Sequence, residues 1–161
     1  MLVGIPGSGK STWARALVAA QPRYWLVSTD SIRATLYGDE AIQGDWGQIW
    51  QQVLTHWREG VRAICQGELD GVIYDATNAR RRNRRAVIAA ARSTGFTDIT
   101  LVYFDLPLSL ALERNRGRSR QVPGDVIATM HRQLQGAPPS VSEGCDRVQI
   151  LGPNSYPGTP F

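Results

Sequence analysis

The chain has 161 residues, enough for one domain that buries about two-thirds of the surface its unfolded form exposes. With 42% hydrophobic and 20% charged residues it reads as a globular protein, and no apolar run or charged leader suggests a membrane span or a secretory signal. The formal net charge of +4 favours an anionic partner, and the two cysteines, Cys65 and Cys145, fall in no C-x-x-C or Cys/His cluster, which points to free thiols in a reducing cytoplasm and to no structural zinc.

Met1-Leu2-Val3 reads as the end of a strand. It is short beside the usual strand of about five residues, so either this strand is a short one or the native N-terminus lies upstream. Gly4 to Thr12 then read G-I-P-G-S-G-K-S-T, a full match to G-x-x-x-x-G-K-[ST]. Glycines let backbone N–H groups turn inward around a phosphate with no Cβ in the way. Lys10, the only lysine in the chain, is placed to reach the β- and γ-phosphates. The Ser11 hydroxyl is the expected Mg²⁺ ligand, and the helix that follows points its positive end at the anion. Gly4, Ile5, Pro6, Gly7, Ser8, Gly9, Lys10, Ser11 and Thr12 are therefore the candidate ATP contacts.

Beyond the loop, the spacing of Trp13, Leu17 and Val18 predicts a helix over 10–20, stopped near Pro22. Tyr24 to Ser28 is a strand with Asp30 just past its end, followed by a helix around 31–37. Asp45 is the expected N-cap of a long helix to about Gln66, whose apolar stripe includes Trp46, Trp50 and Trp57. These tryptophans could stack bases, but a stripe packed on the sheet explains them with less and is the expectation here. Gly71 to Asp75 is a buried strand, and Asn78 is a candidate cap for a helix ending near Thr94. Ile99 to Phe104 is the most hydrophobic run and a central strand. Pro107 opens a helix to about Arg114, and Pro123 starts, at a first-turn position, another that ends before Pro138-Pro139. Arg147 to Leu151 is an edge strand. Alternating strands and helices imply an α/β fold, a parallel sheet covered on both faces. The expected organisation is one domain over 1–151 and a poorly ordered tail over 152–161.

In such sheets ligands sit beyond the carboxyl ends of the strands, where the charged residues gather. Asp30-Ser31-Ile32-Arg33 places a carboxylate and a guanidinium three apart on one helix face. One reading makes Asp30 a general base toward a hydroxyl and Arg33 a phosphate clamp; the other makes Asp30 an N-cap with an incidental ion pair. Asp75 either holds Mg²⁺ through water or turns the chain at a strand end. Arg114 to Arg120 is dense in guanidinium and reads as a lid or as a solvated basic turn. Arg80 to Arg85 is a second basic run, either tracking a nucleic-acid backbone or a solvated face.

Taken in order, the phosphate loop with Trp13-Ala14-Arg15, S-T-D-x-x-R at Ser28 to Arg33, D-A-T-N at Asp75 to Asn78 and E-R-N-x-x-R at Glu113 to Arg118 resemble a known family. Val122-Pro123 and P-x-x-x-E-G at Pro139 to Gly144 extend the match. The chain is similar, over about residues 4–150, to the kinase module of phage and bacterial polynucleotide 5′-hydroxyl kinases, within the P-loop kinase group. The resemblance implies a P-loop NTPase-type parallel sheet with the loop strand near its centre and a short arginine-rich lid. It implies ATP and Mg²⁺ handled by Lys10 and Ser11, Asp75 at an acidic position near the active site, and Asp30 activating a 5′-hydroxyl of DNA or RNA. By the same resemblance Arg33 engages the terminal phosphate, Arg118 contacts the transferring phosphoryl from the lid, and Arg114 is a lid-base arginine near the nucleotide. The chain has no room for the phosphatase or ligase modules that often accompany such kinases. A small-molecule or aminoacyl-tRNA hydroxyl kinase therefore remains the alternative, ahead of a non-catalytic ATP-dependent binding module.

Overall fold

The computed structural model describes residues 1–118 and 120–153. Its strands are β1 (Leu2–Val3), β2 (Tyr24–Ser28), β3 (Gly71–Asp75), β4 (Thr100–Phe104) and β5 (Arg147–Leu151). Its helices are α1 (Lys10–Ala20), α2 (Thr29–Tyr37), α3 (Trp46–Cys65), α4 (Arg81–Thr94), α5 (Leu108–Arg116) and α6 (Gly124–Gly136). A single 3₁₀ turn, Val141–Glu143, precedes β5. From Asn154 on, the expected tail lies outside the described residues.

Among the described residues every strand pairing is parallel: β2 with β3, β1 with β4, and β4 with β5. β1 and β3 lie side by side but share no ladder, because β1 contributes only two residues. Two bonds just beyond the strands close that seam. The Gly4 N–H donates to the Thr77 carbonyl at 3.1 Å, and Asn78 Nδ2 donates to the Leu2 carbonyl at 2.7 Å. The sheet thus runs β2-β3-β1-β4-β5, with the loop-bearing strand in the middle, β4 inside and β5 at the edge. Asn78 makes its reach from a left-handed backbone, φ 51°, which asparagine tolerates. It does not cap α4 as expected; α4 begins behind Arg80, which offers no side-chain cap.

Alternation along the strands divides the core between the two faces. Leu2, Ile73, Val102 and Phe104 pack with Trp13, Ala14 and Leu17 of α1. Val3, Tyr74, Leu101 and Tyr103 pack on the other side with Ile49, Val53 and Trp57 of α3 and with Val87, Ile88 and Ala91 of α4. Two helix starts differ in detail from the sequence reading. α2 begins at Thr29, with the Ser28 hydroxyl accepting from the Ser31 N–H at 3.4 Å, so Asp30 lies within the first turn and is not the cap. Pro123 is the residue before α6 and not its first turn. Asp45 does cap α3, its carboxylate accepting from the Gln48 N–H at 2.9 Å.

Candidate active site

The carboxyl ends of β1, β2 and β3 open on a cleft of about 1590 Å³. Pro6 to Thr12, Asp30, Arg33, Asp75, Arg114 and Arg118 all line it. Gly4 and Ile5 do not: both are buried behind the loop, where Ile5 contributes a carbonyl rather than a surface. Gly7 adopts φ 81°, and a Cβ there would fall 2.3 Å from the Ala111 carbonyl oxygen of α5. The loop is thereby pressed against the helix that carries Arg114, and only glycine fits.

Lys10 is buried, and its Nζ donates to the Ile5 carbonyl at 2.9 Å and to the Ser8 hydroxyl at 3.3 Å. Burial lowers its pKa from 10.5 to about 8; Arg118 adds to the lowering, while Asp75 and Asp30 oppose it. Lys10 therefore senses all three of these side chains across the cleft. Asp75 is buried at the end of β3, and its carbonyl accepts from the Thr29 hydroxyl at 3.4 Å, which ties the start of α2 to β3. Tyr74, one residue earlier, lines the cleft with its hydroxyl held protonated by burial, against the opposing pull of Arg33.

Asp30 Oδ1 accepts from Arg33 NH1 at 2.8 Å and meets Arg120 NH1 at 3.4 Å. The carboxylate is 40% exposed and Arg33 only 12%, so the base candidate faces the cleft with a largely buried arginine behind it. Arg120 is a contact that the sequence does not single out, because nothing local distinguishes it from Arg118 in the same run. Asn115 is another. Buried on α5, it donates to the Val122 carbonyl at 2.9 Å and accepts from the Val122 N–H at 3.1 Å. That two-way clip stitches the base of the arginine-rich loop, and Gln121 adds a bond to the Arg116 carbonyl at 3.0 Å.

A family model described as an AAA domain matches residues 1–137. The chain belongs to this P-loop kinase family. An L-seryl-tRNA(Sec) kinase of Methanococcus maripaludis is 26% identical over 138 residues, 83% of this chain and 51% of that protein. A chain of a Pnkp1/Rnl/Hen1 RNA repair complex superposes with a TM-score of 0.66 at 24% identity, over 84% of this chain and 43% of that one. A gluconokinase from Sinorhizobium meliloti 1021 gives 0.56 at 20% identity, covering 96% and 81%. The chain spans about half the length of that seryl-tRNA(Sec) kinase.

The residues present fit the nucleotide that a P-loop kinase family member is expected to hold. α1 starts at Lys10 with no side-chain cap and no acidic residue in its first turn, leaving its N–H groups for an anion. Ser11, with its hydroxyl, and Asp75, with its carboxylate, line the same cleft and would be the side chains to hold Mg²⁺. Among the described residues no cluster of three or more acidic, histidine or cysteine side chains forms an all-protein metal cage. That donor set suits an ion that keeps waters and phosphate oxygens in its shell.

The second basic run divides when folded. Arg84 is fully buried: Nε and NH2 pair with both Glu143 carboxylate oxygens at 2.7 and 2.6 Å. Its remaining donors reach the Ala79 and Ala137 carbonyls at 2.9 and 2.7 Å. It is a structural clamp, not part of a backbone-tracking surface. Arg80 lines the main cleft, whereas Arg81, Arg82 and Arg85 border a separate cavity of about 690 Å³. No helix among the described residues is long and apolar enough to cross a membrane.

Proposed function

We propose that this chain is an ATP-dependent phosphotransferase that moves the γ-phosphoryl group to a 5′-hydroxyl of DNA or RNA. The observation that carries this reading is the Asp30 carboxylate. It faces the cleft shared with the phosphate loop and is oriented by Arg33 at 2.8 Å. In the proposed step Asp30 takes the proton of the acceptor hydroxyl as its oxygen bonds to the γ-phosphorus and the bond to the ADP oxygen breaks. Lys10 and Arg118 neutralise charge on the transferring group, Arg114 stands at the lid base, and Arg33 holds a phosphate of the acceptor end. Mg²⁺, held through Ser11 and Asp75, would draw charge off the phosphate oxygens. Similarity to a chain of an RNA repair complex supports a nucleic-acid acceptor.

A second reading is favoured by the similarity to a seryl-tRNA(Sec) kinase: the acceptor is then the hydroxyl of an aminoacyl group or a small alcohol. The test is transfer of labelled γ-phosphate to 5′-hydroxyl oligonucleotides, nucleosides, sugars and charged tRNA side by side. Preferential labelling of the oligonucleotides is expected. Labelling confined to seryl-tRNA or a sugar would replace the first reading with the second, and ATP binding without transfer to any of them would leave a binding module.

A further inference from the structure

Five tryptophans in this chain end up in different surroundings. Trp57 is 2% exposed and belongs to the core, as the stripe on α3 predicts, whereas Trp46, the first residue of that helix, is 52% exposed. The Trp46 ring lies over Trp50 with centroids 6.2 Å apart and planes 20° from parallel. Trp50 in turn sets its edge against Trp57 at 5.5 Å and Tyr74 at 6.5 Å. A ladder of rings thus runs from the core to the cleft wall. A lone exposed apolar side chain is ordinary. This one is different because Trp46 and Trp50 line the same cleft as Asp30 and Arg33.

The position of Trp46 is also fixed relative to the base candidate. The Tyr37 hydroxyl, on the helix that carries Asp30, accepts from the Asp45 N–H at 2.9 Å, immediately before Trp46. Gly44 permits this approach: at φ 58°, a Cβ there would fall 2.1 Å from the Tyr37 ring. Arg33 and Arg80 stand on the same cleft. Flat π surface beside guanidinium is complementary to a nucleotide, whose base stacks while its phosphates pair.

We propose that Trp46, backed by Trp50, is the platform on which the terminal base of the acceptor stacks. This rests on the polynucleotide reading above and deepens it. Stacking of this kind tolerates any base, since every base has a π face.

The test uses two 5′-hydroxyl oligonucleotides that differ only in lacking or carrying the base of the 5′-terminal nucleotide. The wild-type protein should show a KM about tenfold lower for the intact end. Trp46→Ala should raise that KM to the abasic value and leave the abasic KM where it was, and Trp46→Phe should keep most of the preference. Equal KM values in the wild-type protein, or a preference that survives Trp46→Ala, overturn the platform while polynucleotide transfer stands. Transfer to neither oligonucleotide, beside transfer to a small alcohol, overturns the polynucleotide reading and the platform with it. The wild-type comparison needs no variant, so a Trp46→Ala protein that failed to fold would not shield the proposal.

Discussion

At the scale of single residues, Lys10 makes the cleft sensitive to pH. Its folded pKa is about 8, against 10.5 for a free lysine. Between those values the unfolded chain carries more protons than the folded one, so this group makes stability rise with pH from about 8 to 10.5. Nucleotide binding runs the opposite way. The ammonium is the form that pairs with phosphate, so bound ATP raises the lysine pKa and takes up a proton. ATP affinity is predicted to fall as pH climbs past about 8, by up to about tenfold per unit. Titration calorimetry across that range, in buffers of different ionisation heat, reads both the fall and the proton uptake. A flat affinity would refute the assignment, and Lys10→Ala should abolish transfer in a folded protein. For Asp30, replacement by Asn keeps shape and hydrogen bonding but removes the basic oxygen. Transfer should drop by about 10²–10⁴ with ATP affinity retained. If ATP affinity fell in step with turnover, Asp30 would instead be a structural or metal-holding residue.

At the scale of elements, most boundaries were legible because each has a local cause. α1 ends where Pro22 approaches, α3 starts at a capping Asp45, and β4 is a continuous apolar run. What could not be read were the long-range partnerships. Asn78 looks like a helix cap in sequence, but its side chain replaces the ladder bond that a two-residue β1 cannot make with β3. Arg84 looks like one more surface arginine, yet it meets Glu143 from fifty-nine residues away in a fully buried pair. Glu143 in turn gives the P-x-x-x-E-G segment a structural part in the fold. Removing one partner of such a pair leaves a bare buried charge. Arg84→Ala is predicted to lower stability by about 3–5 kcal/mol in urea unfolding, and Arg84→Met with Glu143→Leu to recover a large part of that loss. If Arg84→Ala were near neutral, the clamp would not matter to the fold.

At the scale of the whole molecule, the parallel sheet delivers chemistry from distant parts of the chain to one edge. The phosphate loop follows β1, Asp30 follows β2 and Asp75 closes β3, so the cleft follows from strand order alone. Arg118 and Arg120 arrive from beyond α5, and which of them would touch Asp30 depends on a loop fold with no sequence period; Arg120 does so at 3.4 Å. The distribution of the remaining charge bears on how a long acceptor would lie. Arg80 belongs to the cleft, and Arg81, Arg82 and Arg85 form a separate basic patch on the same helix. A single-stranded acceptor that continues from the cleft onto that patch would release counterions there. The log of its affinity should fall with log salt by about 0.7 for each phosphate neutralised. Arg81, Arg82 and Arg85 changed together to Ala, with Arg84 left in place because the fold needs it, should flatten the slope by about 2 units while base sequence hardly matters. Fluorescence anisotropy of a labelled oligonucleotide over a salt series measures this. A slope unchanged by the triple substitution would mean that the strand leaves the cleft by another route and that these arginines serve only as solvated surface.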